Sequence, residues 1–69
     1  MTDRFQILVN ATPQQVNEKT TLAQAAVQFG AQPPYVLLLN HHFIASSQHD
    51  QITLKPNDII EVISAIQGG

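Results

Sequence analysis

The chain has 69 residues, 43% of them apolar, a formal net charge of −2 and no cysteine. That length allows one small domain with its own core, and the apolar fraction is too high for a disordered segment. The missing cysteines exclude disulfides, thiolate metal sites and a cysteine nucleophile, while the lack of a basic cluster argues against nucleic acid as a partner.

Further exclusions come from the pattern of residues. A small domain without disulfides suits a reducing compartment, so a cytoplasmic location is expected. The longest apolar run, about five residues, is far short of the ~20 that a membrane helix needs. No signal-peptide pattern opens the chain.

Phe5-Gln6-Ile7-Leu8-Val9 alternates, with Phe5, Ile7 and Val9 on one face, which predicts a half-buried strand. Asn10-Ala11-Thr12-Pro13 reads as a four-residue turn, because Asn tolerates positive φ and Pro fixes its own φ. Gln14 to Glu18 resumes an extended pattern around Val16, completing a hairpin. Thr21 with Gln24 forms a capping box at a helix start. Leu22, Ala25, Ala26 and Phe29 then share a helical face. Gly30 suits a left-handed C-cap, and Pro33-Pro34 forbids continuation, so the helix spans about residues 21–29.

Tyr35-Val36-Leu37-Leu38-Leu39 is apolar at both parities, unlike a strand buried on one face only. One of its faces can meet the helix, and the other needs a partner. Asn40-His41-His42 reads as a turn, Phe43-Ile44-Ala45 as a short return strand, and Ser46 to Thr53 as a polar loop. Lys55-Pro56-Asn57-Asp58 is a further turn before a last strand, Ile59 to Ser64. In that strand Ile60 and Val62 share one face, and Ile59, Glu61 and Ile63 the other. The element order β-β-α-β-β-β predicts an α+β roll: a mixed sheet of four to five strands covered by one main helix. The first and last strands should run parallel at its centre. The expected core is Ile7, Val9, Leu22, Ala25, Phe29, Ile60 and Val62.

Residues 65–69, Ala65-Ile66-Gln67-Gly68-Gly69, follow that strand. They are expected to form a tail outside a domain of residues 1–64. A frayed terminus is one reading. The other is a narrow strap, passable where side chains are not, that presents a carboxylate to a partner's active site.

This order and this ending resemble the ubiquitin-like β-grasp fold and, more narrowly, the ThiS family of sulfur carriers of thiamine biosynthesis. The resemblance rests on Ile7-Leu8-Val9-Asn10, Thr20-Thr21-Leu22, Leu39-Asn40, Leu54-Lys55, Asp58, Ile60-Glu61-Val62 and Ala65-Ile66-Gln67-Gly68-Gly69. Three departures stand out. Asn10-Ala11 replaces the frequent Asn-Gly, Asn57 replaces a turn glycine, and Ala45, Ser46 and His49 replace the usual Pro-Arg and Trp.

The resemblance implies a carrier and not an enzyme. Gly69 would be adenylated by an E1-like partner of the ThiF type, with ATP consumed by that partner and no cofactor bound to the carrier. It would then be converted to a thiocarboxylate with sulfur from a donor such as a cysteine desulfurase. A thiazole synthase of the ThiG type would take the sulfur. Ile66, Gln67 and Gly68 form the tail that delivers Gly69. The outward apolar residues Val36, Leu38, Ile59 and Ile63 are the candidate docking patch. Within the same fold, the small subunit of molybdopterin synthase and a ubiquitin-like modifier remain alternatives, as does a passive interaction domain.

The other constellations carry less. His41, His42 and His49 lack the convergent ligands that zinc needs and read as solvated turn residues, so no metal site is expected. Asp58 reads as a turn residue and Glu61 as strand surface, not as an acid–base pair. Ser46, Ser47 and Ser64 have no nucleophile-elbow context.

Overall fold

The computed structural model describes residues 3–64. The predicted tail, with Ile66, Gln67, Gly68 and Gly69, lies outside the described residues. Strands β1 (Arg4–Val9), β2 (Thr12–Asn17), β3 (Tyr35–Leu39), β4 (His42–Ile44) and β5 (Ile59–Ser64) accompany helix α1 (Leu22–Gln28) and a 3-10 turn at Ser46–Gln48. The sheet order is β2-β1-β5-β3-β4. β1 and β5 run parallel at its centre, as expected, with Leu8 beside Ile59 and Val9 beside Ile60. The remaining pairings are antiparallel. A mixed sheet covered on one face by a helix is the predicted α+β, β-grasp architecture.

The first hairpin is tighter than the sequence suggests. Its loop is Asn10-Ala11 alone, with φ of 49° and 69°, and Thr12 and Pro13 already belong to β2. Positive φ at both central residues twists the chain to match the two strands. Proline is tolerated here because β2 is an edge strand. Pro13 also stands opposite Leu8, whose N–H points the other way, to Asp58 O on the β5 side. That pair exchanges no ladder bond, so the missing proline N–H costs nothing. The second hairpin repeats the geometry: Asn40 and His41 have φ of 51° and 72°, and His42 is a strand residue rather than part of the turn.

Helix α1 begins as its capping residues dictate. Thr21 Oγ1 accepts from Gln24 N at 3.2 Å, and Gln24 Oε1 accepts from Thr21 N at 2.9 Å. It ends at Phe29, with Gly30 at φ 88°; Gly30 N donates to Val27 O and Ala31 N to Ala26 O. This is the left-handed glycine cap that satisfies the last carbonyls. A seven-residue helix is too short to persist alone, and packing on the sheet supplies the rest. The segment before β5 adds further ties. Ile52 O and His49 O accept from Leu22 N and Ala23 N, and Leu54 N donates to Thr20 O. Two otherwise orphaned donors of the first helical turn are thereby satisfied.

The core consists of Ile7, Val9, Val16, Leu22, Ala25, Ala26, Leu37, Leu54 and Ile60. Five of the seven expected core residues are in it. Phe29 and Val62 are instead half-buried and pack against its edge. Phe29 is the helix's C-cap, and Val62 lies on β5 beyond the last β1 pairing, at Ile60. Val16, Leu37 and Leu54 complete the buried set.

His49 departs furthest from its expected role. It is 8% exposed, its Nε2 lies 3.1 Å from Ile44 O, and its ring stacks on Tyr35 with centroids 6.1 Å apart. This histidine is a packed internal support, not a solvated turn residue. His41 and His42 are exposed.

Candidate functional site

β5 leads from the sheet's centre to residues 65–69, and its position is set from both sides. Asn40 Oδ1 accepts from Ile59 N at 2.9 Å, while its Nδ2 donates to Asp58 Oδ1 at 3.1 Å. Asn10 Oδ1 accepts from Val62 N at 2.9 Å, across 52 positions of sequence. Asn10 N also donates to Ile60 O, and Asn40 N to Ile59 O. Beyond the Asn10 N–H, the β1 side offers β5 no further backbone partner. The Asn10 side-chain amide continues the ladder in its place. The first residue of each hairpin turn is therefore an asparagine that serves the turn with its backbone and β5 with its side chain. Along the sequence these asparagines read as turn residues only. The available signal was asparagine recurring at the same place before two return strands.

Asp58 is held by its turn. Its Oδ2 accepts from Lys55 N at 2.7 Å, and Oδ1 is occupied by Asn40. Both carboxylate oxygens are thus used structurally, in agreement with the turn reading. No group of three or more His, Asp or Glu side chains able to hold a metal occurs among the described residues.

The sheet face opposite α1 carries the predicted patch. Val36 pairs with Ile63, and Leu38 with Glu61 on one side and Phe43 on the other. Cross-strand partners share a face, so these residues are all outward. Ile63 is 55% exposed and Val36 39%, while Leu38 and Ile59 are half-buried. The structure therefore brings together Val36, Leu38, Ile59 and Ile63, all four residues singled out for it.

Two neighbours extend the patch. Phe43 is 65% exposed beside Leu38, and the half-buried Leu8 pairs with Ile59. Phe43 was hidden by the turn assignment, since only a two-residue loop sets it opposite Leu38. Leu8 was readable from its parity between Ile7 and Val9. At the β3–β5 end, Pro34, Tyr35, Val36, Ile63 and Ser64 line an open apolar depression of about 260 Å³. It adjoins the point where the chain continues into residues 65–69. Glu61 is the acidic residue on this face, with His41 Nδ1 3.5 Å from its Oε1.

The ThiS family model matches residues 7–69. The chain belongs to the ThiS family. That match spans all the described strands from Ile7 onward and includes Gly68 and Gly69. No curated protein matches the sequence. Among solved structures, the fold is similar to the crystal structure of a thiamine biosynthesis protein (ThiS) from Geobacter metallireducens. The similarity has a TM-score of 0.78 at 20% identity and covers 94% of this chain and all of that one. At that identity the likeness establishes the β-grasp fold. Membership of the ThiS family, in turn, supports a sulfur-carrier role in thiamine biosynthesis rather than a catalytic one. No helix among the described residues is long and apolar enough to cross a membrane.

Proposed function

We propose that this protein is a carrier whose reactive group is the carboxylate of Gly69, and that its outer sheet face docks the enzyme that activates it. The observation that carries this reading is the family match running from the first strand through Gly68-Gly69. A carboxylate is a poor electrophile. An E1-like partner of the ThiF type joins it to ATP, forming the acyl-adenylate with loss of pyrophosphate. A persulfide sulfur attacks the acyl carbon and expels AMP. A thiol then cleaves the resulting S–S bond, becoming a disulfide with the former carrier of the sulfur. The transferred sulfur stays on Gly69 as a thiocarboxylate, which a thiazole synthase of the ThiG type consumes. The sulfur ultimately comes from cysteine, through a donor such as a desulfurase.

The body has a separate task. Adenylation needs a water-excluding site, and glycines without Cβ can enter a channel that side chains would block. Ile66 and Gln67 link that entry to the domain. Two glycines offer little contact of their own, so affinity has to come from the folded domain. The apolar outer face supplies it: Val36, Leu38, Ile59 and Ile63, extended by Phe43. Contiguous exposed apolar surface of this kind tends to mark interaction sites.

The test is intact-protein mass spectrometry after incubation with ATP, a sulfur source and the adenylating enzyme. One O-to-S exchange at Gly69 is expected, dependent on both ATP and enzyme. Deleting Gly69, or replacing Gly68 with Trp, should abolish it. Isopeptide adducts on lysines would instead assign the chain to the modifiers. Stable retention by a molybdopterin-synthase large subunit would assign it to that pathway.

A further inference from the structure

Across β5, β3 and β4 the outer face is apolar except at one position, Glu61, while its β1–β2 end is polar, with Arg4, Gln6, Gln15 and Asn17; this deepens the docking reading on which it rests. Glu61 lies on β5 between Ile59 and Ile63 and beside Leu38, all on the same face. Its side chain is 41% exposed, and the ionisable neighbour it meets is His41, 3.5 Å away and itself 72% exposed. In the free protein, water solvates this carboxylate. A partner covering Ile59, Leu38 and Ile63 removes that water. Burying an ionised carboxylate without a counter-charge is strongly unfavourable.

We infer that the docking partner presents a cationic side chain, arginine or lysine, opposite Glu61 within an otherwise apolar contact surface. The spacing is specified as well. Ile63 stands two residues along the same strand, roughly 7 Å away at the ordinary strand rise. The partner's cation and the apolar group that meets Ile63 and the depression beside it should be separated by about that distance. Such a pair fixes the partner's register along β5. A purely apolar patch could slide, whereas one desolvated charge in its centre cannot move without losing its partner.

The decisive variant is Glu61→Leu, because the two explanations predict opposite signs. If the carboxylate is only a solvated interruption of the patch, leucine enlarges the apolar surface and tightens binding. If a cation faces it, leucine strands that cation. Calorimetric titration of the adenylating enzyme with wild type, Glu61→Leu, Ile63→Asp and His41→Asn separates the cases, with thermal melting confirming that each variant is folded. Glu61→Leu should bind roughly 10- to 100-fold more weakly, the usual range for leaving one member of a buried charge pair alone. His41→Asn tolerates the left-handed backbone at this position and should change affinity less than about threefold, as a peripheral contact does.

Equal or tighter binding by Glu61→Leu, with Ile63→Asp still impaired, would overturn the inference and leave the docking face standing. A loss from His41→Asn as large as that from Glu61→Leu would make the imidazole the counter-charge and also overturn it. No effect of Ile63→Asp would remove the docking face, and this inference with it.

Discussion

The two faces of this one sheet are built from interleaved residues of the same strands and do different work. On β5, Ile60 is 1% exposed while Ile63 is 55% exposed; on β3, Leu37 is fully buried while Val36 is 39% exposed. At these positions of β3 and β5 residue type does not separate the faces, since Ile, Leu and Val occur on both. What separates them is a cover. The inner face has α1 and the segment around Leu54 packed on it, whereas the outer face carries no element of this chain among the described residues. Hydrophobic burial therefore stabilises the fold on one side and is left available for association on the other.

The comparison is tested most severely on the inner face. Leu37→Ala should cost about 2–5 kcal/mol, since Leu37 is fully buried with neighbours on all sides. Urea denaturation measures it. A loss below about 1 kcal/mol would mean that the inner face is not packed like a protein interior. Phe29→Ala should cost less than Leu37→Ala, because Phe29 keeps contact with solvent.

The asparagine ties between turns and β5 come next. Asn40→Gly and Asn10→Gly keep a residue tolerant of positive φ but delete the side-chain bonds. Each lost bond should cost about 0.5–1.5 kcal/mol, with Asn40 the more costly because it makes two. Amide hydrogen exchange should accelerate at Ile59 in the first variant and at Val62 in the second. Unchanged protection at both amides would show that these bonds do not hold the strand.

The outer face should respond least in stability and most in binding. Ile63→Asp and Phe43→Ser should shift stability by no more than about 0.5 kcal/mol, as surface substitutions usually do. Both should weaken capture by the adenylating enzyme. A large stability loss from Ile63→Asp would mean that this residue supports the fold, and the contrast between the faces would then fail.

Much of this was legible in local sequence. The Thr21–Gln24 box, the Gly30 cap and the parity of Ile60 and Val62 against Ile59, Glu61 and Ile63 are short-range patterns, and each is realised. The hairpin loops are shorter than local sequence suggests because neither contains the glycine that normally marks a two-residue turn. Ala11 and His41 adopt φ near 70°, at a local cost of roughly 1–2 kcal/mol. A reading of local preference alone does not choose that conformation. Bonds from the adjoining asparagines to β5 lie outside any local window and help to offset the cost. The burial of His49 is likewise invisible to local sequence. Nothing near it in sequence announces Tyr35, the ring it stacks on.

The order and type of the elements, the ends of the helix and the two-sided apolar character of β3 are legible along the chain. These follow from periodicity and capping chemistry, which act over a few residues. The folded arrangement is what brings Phe43 into the outer patch, sets Phe29 and Val62 at the core's edge, buries His49 and lets Asn10 and Asn40 grip β5. Each of these depends on pairing between distant segments. Such pairing is set by the best total burial and hydrogen bonding of the whole chain, not by the preference of any one stretch.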